Sequence, residues 1–326
     1  MLSDLKDKKN LLAFSAGGDS TALFFMLIDA NVEFDIAIVD YGLRPQSKDE
    51  VFYAKELANK YNKKCFLFNA KNIEKNFEAS AREIRYNFFE EIINKYNYAN
   101  LLTAHHLGDR FEWMLMQFCK GAGCVEIAGM KIVEKRDNYN LIRPLLDMDK
   151  SELLEYLHQK NIKYFEDETN LDENIKRNSF RHNFSNPLLK KYKNGIKKSF
   201  NYLDNDRELL VEDVKLYAID EFTYFENTNN IRTILYHIDK VLKSKGHLLS
   251  AKEKELIKTN KTTVIGRKFV VNKNDKYIFI APFISKNISM DKKFKEMMRI
   301  LKVEPKLRVF LYENILAYKK VIELLS

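Results

Sequence analysis

The feature that most limits how this chain can fold is an alternation of short apolar runs and helix-period segments through its first 120 residues. Apolar runs at 11–14, 34–39, 65–68 and 101–104 are followed by helical patterns at 21–28, 48–61, 79–96 and 109–120. A short continuous apolar run suits a strand buried on both faces, and a helix between two such strands is the crossover that makes them parallel. The expected fold class is therefore α/β, with a doubly wound, Rossmann-like parallel sheet. Ligands on such sheets sit beyond the carboxyl ends of the strands.

The chain has 326 residues, more than one hydrophobic core usually organises, so two domains are expected. We place the boundary near residue 205, dividing 1–205 from a smaller helical or α+β domain over 206–326. A helix is expected to begin near Asp149, with Asp149 or Ser151 as its cap. Pro187 opens a basic stretch containing Lys190, Lys191, Lys193, Lys197 and Lys198. Residues 202–245 read as helical until Gly246 breaks the pattern. Residues 261–282 read as short strands joined by turns at Gly266-Arg267 and near Asn272, and the tail from 292 as helical.

The formal net charge is +9. Such an excess suits a polyanionic partner, since phosphate neutralisation gives affinity whatever the sequence. A composition rich in Lys and Asn explains the same charge without any partner. No apolar run approaches a membrane span, and the first nine residues lack the apolar core of a signal peptide. Three cysteines, Cys65, Cys119 and Cys124, make no disulfide framework and no Cys-x-x-Cys pair. A cytoplasmic protein is expected, with Cys119 and Cys124 as packing residues.

Between the first strand and the first helix lies Ser15-Ala16-Gly17-Gly18-Asp19-Ser20-Thr21. Backbone N–H groups of a small-residue loop, with the positive end of a helix, form an anion site. Ser15 and Ser20 add hydroxyl donors. No Gly-Lys-Ser/Thr follows, so this is not a Walker P-loop, and no Gly-x-Gly-x-x-Gly marks a dinucleotide site.

The loop resembles the Ser-Gly-Gly-x-Asp-Ser signature of the ATP pyrophosphatase (PP-loop) superfamily, which splits ATP to AMP and pyrophosphate. Further segments resemble the tRNA(Ile)-lysidine synthetases, in order. Val39-Asp40-Tyr41-Gly42-Leu43-Arg44 is similar to Val-Asp-His-Gly-Leu-Arg, and Ala81-Arg82-Glu83-Ile84-Arg85-Tyr86 to Ala-Arg-x-x-Arg-Tyr. Ala104-His105-His106-Leu107-Gly108-Asp109-Arg110-Phe111-Glu112 is similar to Ala-His-His-x-Asp-Asp-Gln-x-Glu. Lys120-Gly121-Ala122-Gly123, Ile142-Arg143-Pro144-Leu145-Leu146, Glu166-Asp167 through Asn170 and Asp172, and Arg177-Asn178 with Arg181 complete the set. The likeness is strong over about residues 10–190 and weaker beyond.

The resemblance implies that ATP adenylates the C2 carbonyl oxygen of the wobble cytidine in the CAU-anticodon isoleucine tRNA. Free lysine then attacks C2 and AMP leaves, giving lysidine. ATP and Mg²⁺ are the implied cofactors, and that tRNA and free L-lysine the partners. No membrane is involved, and a homodimer is left open. Ser15, Ala16, Gly17, Gly18, Asp19 and Ser20 would hold the nucleotide. Asp40, Asp109, Glu112 and Arg177 would carry the chemistry, with Asp40 and Asp109 as Mg²⁺ ligands. Arg44, Arg82, Arg85, His105, Arg143, Asn170, Asp172, Asn178 and Arg181 would face lysine or tRNA.

Plainer roles compete. Adjacent strand residues such as His105 and His106 point to opposite faces, which argues against a zinc pair. Arg82 and Arg85 suit surface ion pairs, and Asn170 and Asp172 suit turns. Phe88-Phe89 and the stretch from Trp113 to Phe118 read as core. The sequence departs from the family pattern at Ala16, Tyr41, Gly108, Arg110 and Trp113. Ala16 is acceptable at negative φ and harmful otherwise. Two other readings stand beside the main one: another PP-loop tRNA-modifying enzyme, such as a thiolase needing cysteines, or a catalytically inactive tRNA-binding homologue.

Overall fold

The structure is a computed structural model and describes residues 2–42, 45–70, 77–136, 138–166, 174–286 and 288–326. It divides into two compact units, Met1–Asn205 and Asp206–Ser326.

In the first unit β1 (Asn10–Ala13), α1 (Gly18–Asp29), β2 (Phe34–Asp40), α2 (Ser47–Lys60), β3 (Cys65–Asn69), α3 (Phe77–Tyr96), β4 (Asn100–Leu102) and α4 (Leu107–Phe118) follow one another as the alternation requires. Then come α5 (Cys124–Ala128), β5 (Val133–Lys135), β6 (Asn140–Ile142), α6 (Lys150–Gln159), α7 (Lys176–Phe180) and α8 (Asn186–Leu210). A single π-helical turn, Arg181–Ser185, joins α7 to α8. The strands form one sheet in the order β3-β2-β1-β4-β6-β5, parallel except for β5, which runs antiparallel at the edge.

The period of two within each strand sorts side chains between two layers. Leu12, Ile36 and Ile38 pack under α1, α2 and α6, whereas Leu11, Ala37, Leu101 and Leu141 pack with Phe89 and Ile93 of α3. Register is pinned by a buried asparagine ladder. Asn100 donates to Asn10 Oδ1 at 2.8 Å, and Asn140 donates to Asn100 Oδ1 at 3.2 Å, across strands paired at those positions. Asn10 in turn donates to the carbonyls of Leu5, Lys8 and Glu33. Asp149 caps α6 through a reciprocal bond with Glu152, one of the two caps expected.

The second unit contains β7 (Tyr217–Ile219), β8 (Phe222–Glu226), α9 (Ile231–Ser244), α10 (Ala251–Thr259), β9 (Thr262–Ile265), β10 (Phe269–Lys273), β11 (Tyr277–Pro282), α11 (Lys292–Ile300), α12 (Pro305–Glu313) and α13 (Ile315–Leu325). Its sheet is antiparallel, ordered β7-β8-β11-β10-β9. The helical reading of 202–245 is corrected here: two strands interrupt it. Phe222, Thr223, Tyr224 and Phe225 are all buried because both faces of β8 are covered. Phe225 joins the core under α9 and α10, while Phe222 and Tyr224 join the one under α11, α12 and α13. A run without alternation does not reveal its strand period.

Candidate active site

Strand order reverses at β1, whose neighbours β2 and β4 lead away on opposite sides. The crevice beyond the carboxyl ends of β1 and β4 is where a sheet of this kind exposes loop backbone to a ligand. Two loops form its walls.

The first wall is the loop after β1. Ser20 Oγ accepts from the Ser15 amide at 3.2 Å, lies 3.1 Å from Ser15 Oγ, and donates to the Gly17 carbonyl. No side chain caps α1 at Gly17, so its first-turn N–H groups are left to an anion from outside the helix. Ala16 takes φ +60°, the left-handed conformation, with its methyl wholly buried. The Ala-for-Gly departure therefore falls at the harmful sign of φ. Gly18 packs so closely that a Cβ would lie 3.3 Å from Leu154 and 3.4 Å from the Tyr164 ring. Ala16 O accepts from the Phe165 amide at 3.0 Å, and Gln46 donates to the Glu166 carbonyl at 3.0 Å. The segment 164–166 thus straps the loop to the start of α2.

The second wall is the turn from β4 into α4. His106 Nδ1 accepts from the Gly108 amide at 3.0 Å, and Asp109 Oδ2 accepts from the His106 amide at 3.0 Å. Because Nδ1 accepts, the neutral ring carries its proton on Nε2. That nitrogen lies 3.8 Å from Asp19 Oδ2 and 3.7 Å from Asp109 Oδ2, between the two walls. Gly108 makes this possible, since a Cβ there would lie 2.7 Å from His106 Cε1. His105 hydrogen-bonds Thr103 Oγ1 at 2.9 Å. Burial holds its imidazole neutral, with its pKa lowered to about 4; Asp109 opposes the shift, while Arg143, Arg177 and Arg82 add to it.

From α7 and the π turn, two arginines reach the carboxylates of α4. Arg177 donates to Asp109 Oδ1 at 2.6 Å and to Glu112 Oε2 at 3.0 Å. Arg181 donates to Glu112 Oε1 at 2.7 Å and Oε2 at 3.1 Å. Glu112 is only 1% exposed, so its charge is tolerable because two guanidiniums hold it. Burial pushes the Asp109 carboxyl up, but His106, Arg177, His105 and the His106 amide outweigh it and hold it below the usual carboxylate range. Asp19 Oδ1 is buried with no hydrogen-bond partner among the described residues.

Other residues singled out from the sequence lie elsewhere. Asp40 ends β2 and accepts from the Gly42 amide at 2.8 Å. Among the described residues no hydrogen bond or ion pair joins it to Asp109. Arg143, only 4% exposed, donates to the Lys131 carbonyl and to Glu134, which ties it to β5. Arg82 lies over the Tyr86 ring at 4.8 Å. Arg85 is exposed and Asn178 is buried. Arg44, Asn170 and Asp172 fall outside the described residues. Tyr41 donates to the Ala81 carbonyl at 3.0 Å. Trp113 and Phe118 are corrected: both are exposed, as is Cys119.

Sequence reasoning missed His106 as a cap, Lys150 at 4.0 Å from Asp19, and the purpose of Arg110. Arg110 is wholly buried and donates to the Ala128 carbonyl and to Asp204 at 2.6 Å, with its guanidinium over Phe200. It faces away from Asp109 and Glu112, so its departure from the family pattern changes packing rather than the crevice. The signal available was its spacing, one residue from Asp109 and two from Glu112, which puts it on another face of the helix.

A doubly wound sheet with an uncapped small-residue loop after β1 defines a nucleotide-handling domain of the PP-loop type. The ATP-binding PP-loop domain family matches residues 1–188. The U34-tRNA thiolase NcsA of Methanococcus maripaludis shares this fold, with a TM-score of 0.50 at 16% identity over 61% of this chain and 73% of that one. More specifically, the chain belongs to the tRNA(Ile)-lysidine synthase family. It is 42% identical to the tRNA(Ile)-lysidine synthase of Helicobacter pylori over 97% of this chain and 93% of that protein. It is also 42% identical to that of Campylobacter jejuni, over 96% and 95%, and to that of Wolinella succinogenes, over 94% of each.

Proposed function

We propose that this chain is a tRNA(Ile)-lysidine synthase that uses ATP to adenylate the C2 carbonyl oxygen of the wobble cytidine in CAU-anticodon isoleucine tRNA. Free lysine then displaces AMP. The observation that carries this reading is the 42% identity to a curated synthase over nearly the full length of both chains.

The geometry supports the chemistry. The uncapped end of α1, with Ser15 and Ser20, would bind the pyrophosphate end of ATP. Arg177 would steady charge developing on leaving oxygens, and Glu112 would receive the lysine ammonium, with Asp40 or Asp109 as the base candidates; of these, Asp109, held below the usual carboxylate range, is the weaker proton acceptor. The buried, unpartnered Asp19 Oδ1 fits a cation beside the pyrophosphate. Mg²⁺ would be held there by Asp19 with Asp109 or Asp40, and would supply charge neutralisation when bound. This reading places the enzyme in the cytoplasm, with a homodimer as its candidate assembly. Among the described residues, no helix is long and apolar enough to cross a membrane.

The test is transfer of labelled lysine, with ATP and Mg²⁺, to an isoleucine tRNA transcript bearing CAU and to the methionine tRNA that shares this anticodon. Labelling of the isoleucine tRNA alone is expected. Pyrophosphate release without lysine transfer would point to another nucleophile, and neither signal would point to an inactive tRNA binder.

A further inference from the structure

Between residues 176 and 200 the chain carries eight Lys and Arg residues and no Asp or Glu. Within it, Phe180, Phe184, Leu188 and Tyr192 recur every fourth position, through α7, the π turn and α8 as far as the kink that Tyr192 makes at φ −128°, ψ 21°. Phe184 is 51%, Leu188 37% and Tyr192 60% exposed, against the usual burial of such side chains. The Phe180 and Phe184 rings lie 5.4 Å apart, and Lys176 sits over Phe180 at 5.9 Å. The same stretch supplies Arg177 and Arg181, whose guanidiniums hold Glu112.

We propose that this stripe is a stacking platform for unpaired bases of the RNA loop that delivers the target cytidine. The proposal rests on the tRNA-modifying function above. Aromatic rings give every base a π-face to stack on, and flanking cations follow the backbone. Continuity with Arg177 puts the platform beside the crevice, so nucleotides flanking an extruded base would meet it first. A second copy of the chain is a poor occupant. Self-association would bring together two surfaces crowded with like charge, whereas interface cores are depleted of charge.

The test uses the full-length enzyme, its Phe184→Ala, Tyr192→Ala and Phe184→Trp variants, and two RNAs. One is the CAU anticodon stem-loop. The other has the same stem closed by a tight, fully stacked loop with no free bases. Each alanine variant is expected to weaken binding of the CAU stem-loop about ten-fold. The closed-loop RNA should bind all forms alike, and Phe184→Trp should restore affinity. The slope of log affinity against log salt should stay unchanged in the aromatic variants and fall in a Lys190→Ala/Lys191→Ala double variant. Equal affinity of wild type and alanine variants for the CAU loop overturns the proposal. So does equal weakening on both RNAs, or a shift from dimer to monomer without loss of RNA binding. If the loop binds in an aromatic-dependent way but no lysine is transferred, the platform stands and the lysidine reading falls. If wild type binds neither RNA, both fall.

Discussion

At φ +60°, Ala16 holds a conformation that costs an L-residue about 1–2 kcal/mol. Its methyl, packed into the core below α1, returns roughly 0.8 kcal/mol. Ala16→Gly should therefore change stability by less than about 1 kcal/mol, because strain relief is offset by the lost methyl and by glycine's added chain entropy. Ala16→Val, branched at Cβ, should cost about 2 kcal/mol or more. Thermal melting of the two variants checks both, and a valine variant as stable as wild type would remove strain from the account. His105 gives a pH prediction. The folded chain keeps it neutral down to about pH 4, whereas the unfolded chain takes up a proton near pH 6.5. The unfolded state binds more protons between those values, so stability falls as pH drops through that window, by at most roughly 3 kcal/mol. His105→Gln should flatten the fall in urea midpoint between pH 7 and 4.5. An unchanged pH dependence would mean that His105 is hydrated.

At the scale of elements, α4 presents Asp109 and Glu112 to the crevice from one side and is held from the other by Arg110. Removing one partner of a buried pair strands the remaining polar groups. Arg110→Gln should cost about 2–4 kcal/mol and lower the rate of lysine transfer more than it raises the KM for ATP, since the phosphate loop is carried by α1. Rescue by Asp204→Asn would show that the stranded carboxylate is the cause. These elements also mark how far the sequence could be read. The first four strands and their helices were legible because each apolar run is short and is followed by a segment of helical length and pattern. β5 and β6 were not, being only three residues each. The loop Ser15–Ser20 was legible as a small-residue turn between a strand and a helix, and Asp40 and Asp109 as acids just beyond strand ends. The bond from the Gly108 amide to His106 was not, because a missing side chain leaves no pattern; only the built backbone reveals that the ring fills its place.

For the whole molecule, the division at Asn205 separates a unit that contains the entire phosphate loop and α4 cluster from one built on its own antiparallel sheet and two cores. A ligand as small as ATP is then within reach of the first unit alone, while a polyanion as large as tRNA can engage cations over both. A chain ending at residue 205 should bind ATP within about two-fold of the full-length protein. It should bind tRNA much more weakly, and with a shallower dependence on salt, because fewer phosphates are neutralised. The basic stretch of 176–200 remains in the shortened chain, so the loss should be partial rather than complete, and what remains should still depend on Phe184 and Tyr192. Calorimetry with ATP and filter binding with tRNA over a salt series read the two affinities separately. If truncation removes ATP binding and spares tRNA, the assignment of chemistry to one unit and added grip to the other is reversed.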